Sequence, residues 1–177
     1  CTECRKYYPE FRVSINLSYV QILKSPLMME LKQMIECSGI SCSGIIVELT
    51  ESGYLEGTPA VRSVWNDMKQ LRIQIALDDF GTGYSNLMNI SNLEPDIVKL
   101  DRGFTLKALS RSYEYQLMQY VIEMVHKLNQ YVCVEGVETK EDLEKIKALG
   151  PDLIQGYYYS KPCSRDEFLK KFFCYSE

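Results

Sequence analysis

Hydrophobic positions along the chain fall into short β-branched or aliphatic runs that alternate with longer stretches of helical spacing. The runs with strand character are 11–15, 45–47, 73–77, 96–98, 131–134 and 152–154. Between them lie helix signals. Ser25 is placed to cap a helix with Pro26 at its first position and Leu27, Leu31 and Met34 on one face, ended by Gly39. Thr58 and Pro59 repeat the start signal ahead of Val61, Val64, Trp65 and Met68. Leu117, Val121, Met124, Val125 and Leu128 form a helical stripe. Thr139 opens a helix carrying Leu143, Ile146 and Leu149 that Gly150 closes, and Ser164 with Glu167 forms a capping box before Phe168 and Phe172.

Six alternations of strand and helix predict a parallel sheet with helices outside it. A doubly wound sheet usually carries a glycine-rich turn after its first strand. Here that strand runs into Asn16-Leu17-Ser18-Tyr19, without glycine. A (β/α)8 barrel typically needs about 250 residues, so the chain is short of one by roughly two β/α units.

Each run leads into a polar residue: Asn16, Glu48, the pair Asp78 and Asp79, Lys99, Glu135 and Gln155. Period two puts Asp78 on the face of Ala76 and Gln74, opposite Ile73, Ile75 and Leu77. In a parallel barrel all strand C-termini open at one mouth, so these scattered residues would converge there. A single Asp after a strand is most often a helix N-cap. Six polar ends of six, with adjacent aspartates, point to a site. Clustered carboxylates repel unless a cation neutralises them. Such a set suits Mg²⁺ or Mn²⁺, singly or as an Asp-bridged pair serving phosphoryl chemistry.

The chain has 177 residues, 46% hydrophobic and 25% charged, which fits one globular domain and excludes a disordered or collagen-like chain. No apolar run approaches the ~18–20 residues of a membrane span. The net charge is −4 and no basic run occurs, against nucleic-acid binding. The seven cysteines are odd in number and too sparse for a disulfide scaffold, and read as reduced thiols of a cytoplasmic protein. Cys1 and Cys4 have the spacing of half a zinc site, but Cys37 and Cys42 make a poor second half. One histidine, His126, rules out a His-built zinc centre and reads as a surface side chain. Trp65 reads as core. Tyr84 and Tyr157 lie nearest the mouth, with packing as their default role. Arg102 and Lys161 read as solvated charges within reach of phosphates. The chain begins at Cys1, which reads as a piece of something longer.

Six segments together resemble the EAL-domain cyclic di-GMP phosphodiesterases. They are Asn16-Leu-Ser18, Glu48-Leu-Thr-Glu-Ser52, Asp78-Asp-Phe-Gly-Thr-Gly-Tyr-Ser85, Val98-Lys-Leu-Asp101, Val134-Glu-Gly-Val-Glu-Thr139 and Gln155-Gly-Tyr-Tyr-Tyr-Ser-Lys-Pro162. The resemblance implies a modified TIM barrel, here incomplete with about six β/α units, forming one domain fragment over residues 1–177. It implies hydrolysis of cyclic di-GMP to linear pGpG with a two-metal site of Mg²⁺ or Mn²⁺, in bacterial second-messenger signalling. By the same resemblance Asn16, Glu48 and Asp78 are ligands of one metal. Asp78 bridges to a second, served by Asp79 and by Glu135 directly or through water. Lys99 contacts the attacking water, and Glu135 is also a candidate general base. Gln155, Glu138 and Asp101 are the substrate-binding positions. Phe80, Gly81, Thr82, Gly83, Tyr84 and Ser85 form a loop coupling metal binding to homodimerisation, and Glu51 holds that loop.

One departure is large. The Glu-x-Leu motif that names the family, whose glutamate is a metal ligand, is absent; the first two strands are missing with it. Asn86 replaces a common serine. The expectation is therefore an enzyme in a longer parent with neighbouring signalling domains. Two alternatives stand beside it: an impaired module that binds cyclic di-GMP without cutting it, and a signal-relay interaction domain. Unpaired strand edges near 11–15 and 152–157 are expected to drive self-association or to be completed in a larger domain.

Overall fold

Aliphatic residues on both faces of a short strand suit a sheet covered by helices, and the chain uses them in that way. The computed structural model describes residues 1–24, 26–50, 59–82, 90 and 93–173. Among the described residues six strands, β1 (Val13–Leu17), β2 (Ile45–Thr50), β3 (Gln74–Phe80), β4 (Ile97–Leu100), β5 (Tyr131–Glu135) and β6 (Leu153–Gln155), form one sheet in sequential order. Every neighbouring pair is parallel. The helices are α1 (Tyr19–Lys24), α2 (Leu27–Ser38), α3 (Pro59–Gln70), α4 (Arg102–Ser110), α5 (Ser112–Lys127), α6 (Lys140–Lys147) and α7 (Arg165–Phe172). This is the wall of a modified TIM barrel, six strands wide.

The sheet has two faces with different tasks. Its outer face packs Val47, Leu49, Ile75, Leu77, Val98, Leu100, Val132 and Val134 against the helices, together with Trp65, Met68, Met118, Ile122 and Ile146. Its inner face carries a separate small layer of Ile46, Ala76, Ile97 and Cys133. Two residues further along each of these strands stand Glu48, Asp78, Lys99 and Glu135, so period two lifts the polar set directly above the apolar layer. A cavity of about 520 Å³ on this concave side is lined by residues of all six strands, including Ser14, Glu48, Lys99, Cys133 and Gln155.

Helix starts and stops follow local chemistry. Thr139 and Ser164 form full capping boxes with Asp142 and Glu167. Gly39 closes α2 at φ 65°. Pro26 stands one position earlier than its sequence reading, as the N-cap of α2 rather than its first residue, because its ψ of 49° is not helical. Ser25 and Thr58 lie outside the described residues.

The strands run further than their hydrophobic runs suggest. Asn16 pairs in register with Glu48, and Thr50 with Asp78. The polar groups therefore sit within the last residues of the strands, held by the ladder, rather than on loops beyond it. Among the described residues β1 pairs only with β2, and β6 only with β5. The N-terminal segment and α7 meet beside these edges. Phe11 and Phe168 lie 6.0 Å apart between ring centroids, Tyr7 and Phe173 5.7 Å, and Arg165 Nε donates to Glu3 at 2.9 Å. No helix among the described residues is long and apolar enough to cross a membrane.

Candidate active site

Lys99 sits near the end of β4 with its side chain 6% exposed. Its ammonium lies 2.6 Å from Glu48 Oε2, 2.9 Å from Asp78 Oδ1 and 2.7 Å from Glu135 Oε1. An ammonium has three N–H donors, and here three carboxylates from β2, β3 and β5 take them. Burial opposes the charge on Lys99, but the bonds to Glu135, Glu48 and Asp78 together outweigh it and hold the lysine above its ordinary range. Burial likewise pushes the Glu135 carboxyl up, against the lowering contact with Lys99. Three carboxylates with one cation leave a net negative, sheltered site.

The adjacent aspartates owe their placement to a break in the ladder. Leu77 pairs with Val98 and Phe80 with Leu100, so Asp78 and Asp79 together oppose Lys99. Such a bulge re-aims side chains beside a site. Asp79 adopts φ 60°, a left-handed conformation that a short polar residue tolerates. Its carboxyl is pushed up by burial and then by the charge of Asp78.

The other predicted residues are distributed as follows. Asn16 and Gln155 are exposed on β1 and β6, in register with Glu48 and Glu135. Asp101 caps α4: its Oδ1 accepts from the amides of Gly103 at 2.7 Å and Phe104 at 3.3 Å. Glu138 receives Arg102, with Nη2 2.7 Å from its Oε1. Phe80 is buried, Thr82 is exposed, and Gly81 at φ 103° lies against the Phe104 ring, where a Cβ would come within 2.9 Å of Cδ1. Glu51, Gly83, Tyr84 and Ser85 fall outside the described residues. Trp65 is core, 5% exposed. His126 is exposed and reaches Asp152, 2.9 Å away.

Sequence reading missed three features. Cys133 belongs to the inner layer, where burial pushes its thiol up to about 12, so it stays protonated and packs as an apolar group. The Arg102–Glu138 pair ties α4 to the segment after β5. Asp96 and Asp152, each just after a proline and before a strand, bond across to the preceding strand. The repeated Pro-Asp pair was the signal for the last.

The donor set of Glu48, Asp78 and Glu135 is that of hard divalent cations: carboxylate oxygens converging on a shared positive charge. Among the described residues no group of three or more His, Cys, Asp or Glu side chains encloses a ready-made metal space. The Lys99 ammonium fills the space between the carboxylates.

Comparison with known proteins follows the same lines. The cyclic di-GMP phosphodiesterase PdeF of Escherichia coli is 32% identical over 160 residues, covering 90% of this chain and 21% of PdeF. A structure titled EAL enzyme Bd1971, in its cAMP and cyclic-di-GMP bound form, superposes with a TM-score of 0.86 at 31% identity, over 92% of this chain and 43% of that one. The Klebsiella pneumoniae BlrP1 calcium/cy-diGMP complex gives a TM-score of 0.82 at 25% identity, over 92% of this chain and 44% of that one. The chain thus spans about a fifth of PdeF's length. The EAL domain description matches residues 2–162, most of the chain: the chain belongs to the EAL-domain family.

Proposed function

We propose that the inner rim is a phosphodiesterase site that hydrolyses cyclic di-GMP to linear pGpG with Mg²⁺ or Mn²⁺. One observation carries this reading: carboxylates from three different strands converge on one buried ammonium at the C-terminal end of the sheet. The resemblance to named phosphodiesterases supports the substrate, and the calcium complex of BlrP1 supports a divalent cation.

Asn16, Glu48 and Asp78 would hold one cation, and Asp78 and Asp79, with Glu135 directly or through water, a second. Such cations would lower the pKa of a coordinated water and offset phosphoryl charge. The chain's own groups do the rest. Glu135, its carboxyl held above the ordinary range by burial, accepts the proton of the attacking water. Lys99 has its three donors committed to carboxylates. A carboxylate engaged by such a cation would leave one N–H of Lys99 for a phosphoryl oxygen or for that water. Water adds to one phosphorus, the P–O3′ bond breaks, and the leaving 3′ oxygen takes up a proton. Gln155, Glu138 and Asp101 border the nucleotide. Within this reading the domain works in the cytoplasm as a homodimer, through the loop from Phe80 to Ser85, beside signalling domains of a longer parent.

A second reading is favoured by the ammonium of Lys99 already seated among the carboxylates: a module that binds cyclic di-GMP and relays its presence without cutting it. The experiment is turnover by the full-length parent with Mg²⁺ or Mn²⁺, with pGpG as product and loss in Asp78→Ala. No turnover with any divalent cation removes the enzymatic reading. Saturable nucleotide binding by calorimetry without turnover establishes the second.

A further inference from the structure

A parallel ladder has a fixed grammar: a residue gives its N–H to one carbonyl of the neighbouring strand and receives, on its own carbonyl, the N–H two residues later. Ile75 of β3 receives the N–H of Asp96 at 2.9 Å, so its own N–H should go to the carbonyl of residue 94. It goes instead to Asp96 Oδ2, at 2.8 Å. Val132 of β5 repeats the pattern. It receives the N–H of Asp152 at 3.1 Å and donates to Asp152 Oδ2 at 2.8 Å rather than to residue 150. Both replaced residues have turned away from the ladder: Glu94 lies at φ 47° and Gly150 at φ 74°. The chain uses the same device twice, a left-handed residue, a proline and an aspartate whose carboxylate stands in for the lost carbonyl.

The device sits three residues below the rim on both strands of each pair. Ile75 precedes Asp78 by three and Asp96 precedes Lys99 by three; Val132 precedes Glu135 by three and Asp152 precedes Gln155 by three. Between Ile75 and the bulge only two regular register pairs follow, Ala76 with Ile97 and Leu77 with Val98. The bulge above is a point of slack. Asp96 therefore anchors the ladder on the N-terminal side of those two pairs. A slip of one residue would turn Lys99 from the inner face to the outer.

From this geometry we infer that Asp96 and Asp152 are positioning residues of the rim: their carboxylates set the strand register that brings Lys99 to Asp78 and Glu135 to Gln155. Asp152 is further held by His126, whose Nε2 lies 2.9 Å from the same oxygen. The consequence for catalysis rests on the phosphodiesterase reading above; the positioning itself does not.

The test observes Lys99 directly. In the wild-type chain its ammonium, bonded to three carboxylates, should give a slowly exchanging side-chain signal by ¹H–¹⁵N NMR. Asp96→Ala should abolish or shift that signal and raise exchange of the Ile75 amide by about tenfold or more. Asp96→Asn keeps a carbonyl acceptor and should restore both. Should Asp96→Ala not fold, Asp96→Glu keeps the charge but displaces the acceptor by a methylene, and should also move the Lys99 signal. Val61→Ala, which truncates a buried side chain of α3 and removes none of the hydrogen bonds described above, should lower stability and leave the signal in place. Asp152→Ala should do to the Val132 amide and the Glu135 carboxyl ¹³C resonance what Asp96→Ala does to Ile75 and Lys99. An unchanged Lys99 signal in both Asp96→Ala and Asp96→Glu overturns the inference, as does an equal change in Val61→Ala. Absence of nucleotide turnover in the wild type would remove the phosphodiesterase reading and leave these results standing.

Discussion

Lys99 Nζ and Glu48 Oε2 stand 2.6 Å apart, on strands separated by β3, with both side chains less than a tenth exposed. A buried charge whose partner is removed loses far more than an exposed one, since it can neither recover water nor keep its neutralising field. Lys99→Met should therefore destabilise the chain by about 3–5 kcal/mol at neutral pH. The loss should shrink as acid protonates Glu135, whose carboxyl burial already pushes up. Urea unfolding at pH 7 and pH 4.5 measures both; an equal loss at the two pH values would contradict the charge argument.

The Glu135 carboxyl is raised by burial, so between its unfolded and folded values the native chain holds a proton that the unfolded chain has released. Native stability from this group is thus greatest in acid and falls as pH rises through that window. Glu135→Gln has no such titration. The stability of Glu135→Gln relative to wild type should therefore improve steadily from pH 4.5 upward. Lys99 acts at the other end: its raised value gives stability that is complete below the ordinary lysine range and is lost only in strong alkali. Urea midpoints over pH 4.5–8 test the Glu135 trend, and a flat difference would contradict it.

Addition of Mn²⁺ or Mg²⁺ should stabilise the fold by about 2.7 kcal/mol at a hundredfold excess over the dissociation constant. Chelation should reverse it. Asp78→Asn should abolish most of the shift while preserving the shape of the side chain. Thermal melts with metal and with chelator give the comparison; a shift undiminished in Asp78→Asn would place the cation elsewhere.

Gly156 follows β6 at a close crossing. A Cβ there would lie 2.0 Å from the carbonyl oxygen and 2.5 Å from the amide nitrogen of Val137, both backbone atoms without freedom to rotate aside. Gly156→Ala should cost about 2 kcal/mol or more, as for overpacking of a rigid site. It should also displace Gln155 from its register with Glu135. Denaturation midpoints measure the first effect and the Glu135 carboxyl resonance the second.

Much of the fold was readable because its signals are local. Apolar alternation located all six strands, and Thr139, Ser164 and Gly39 marked helix boundaries through their own side chains or φ preferences. The inward face of β3 was legible as well, since period two assigns Asp78 and Ala76 to one side whatever the neighbours are. The bulge was not. Asp78 and Asp79 are adjacent letters whose joint opposition to Lys99 depends on how β4 is laid beside β3.

What the sequence determined by itself was the alternation of strand and helix and the identity of the polar ring, because hydrophobic period and motif spacing are written along one dimension. Only the tertiary structure decided that Lys99 joins three carboxylates and that Asp96 and Asp152 stand in for lost carbonyls. Those contacts join residues that register brings together in space. Register depends on hydrogen bonds between strands, which no single stretch of chain contains.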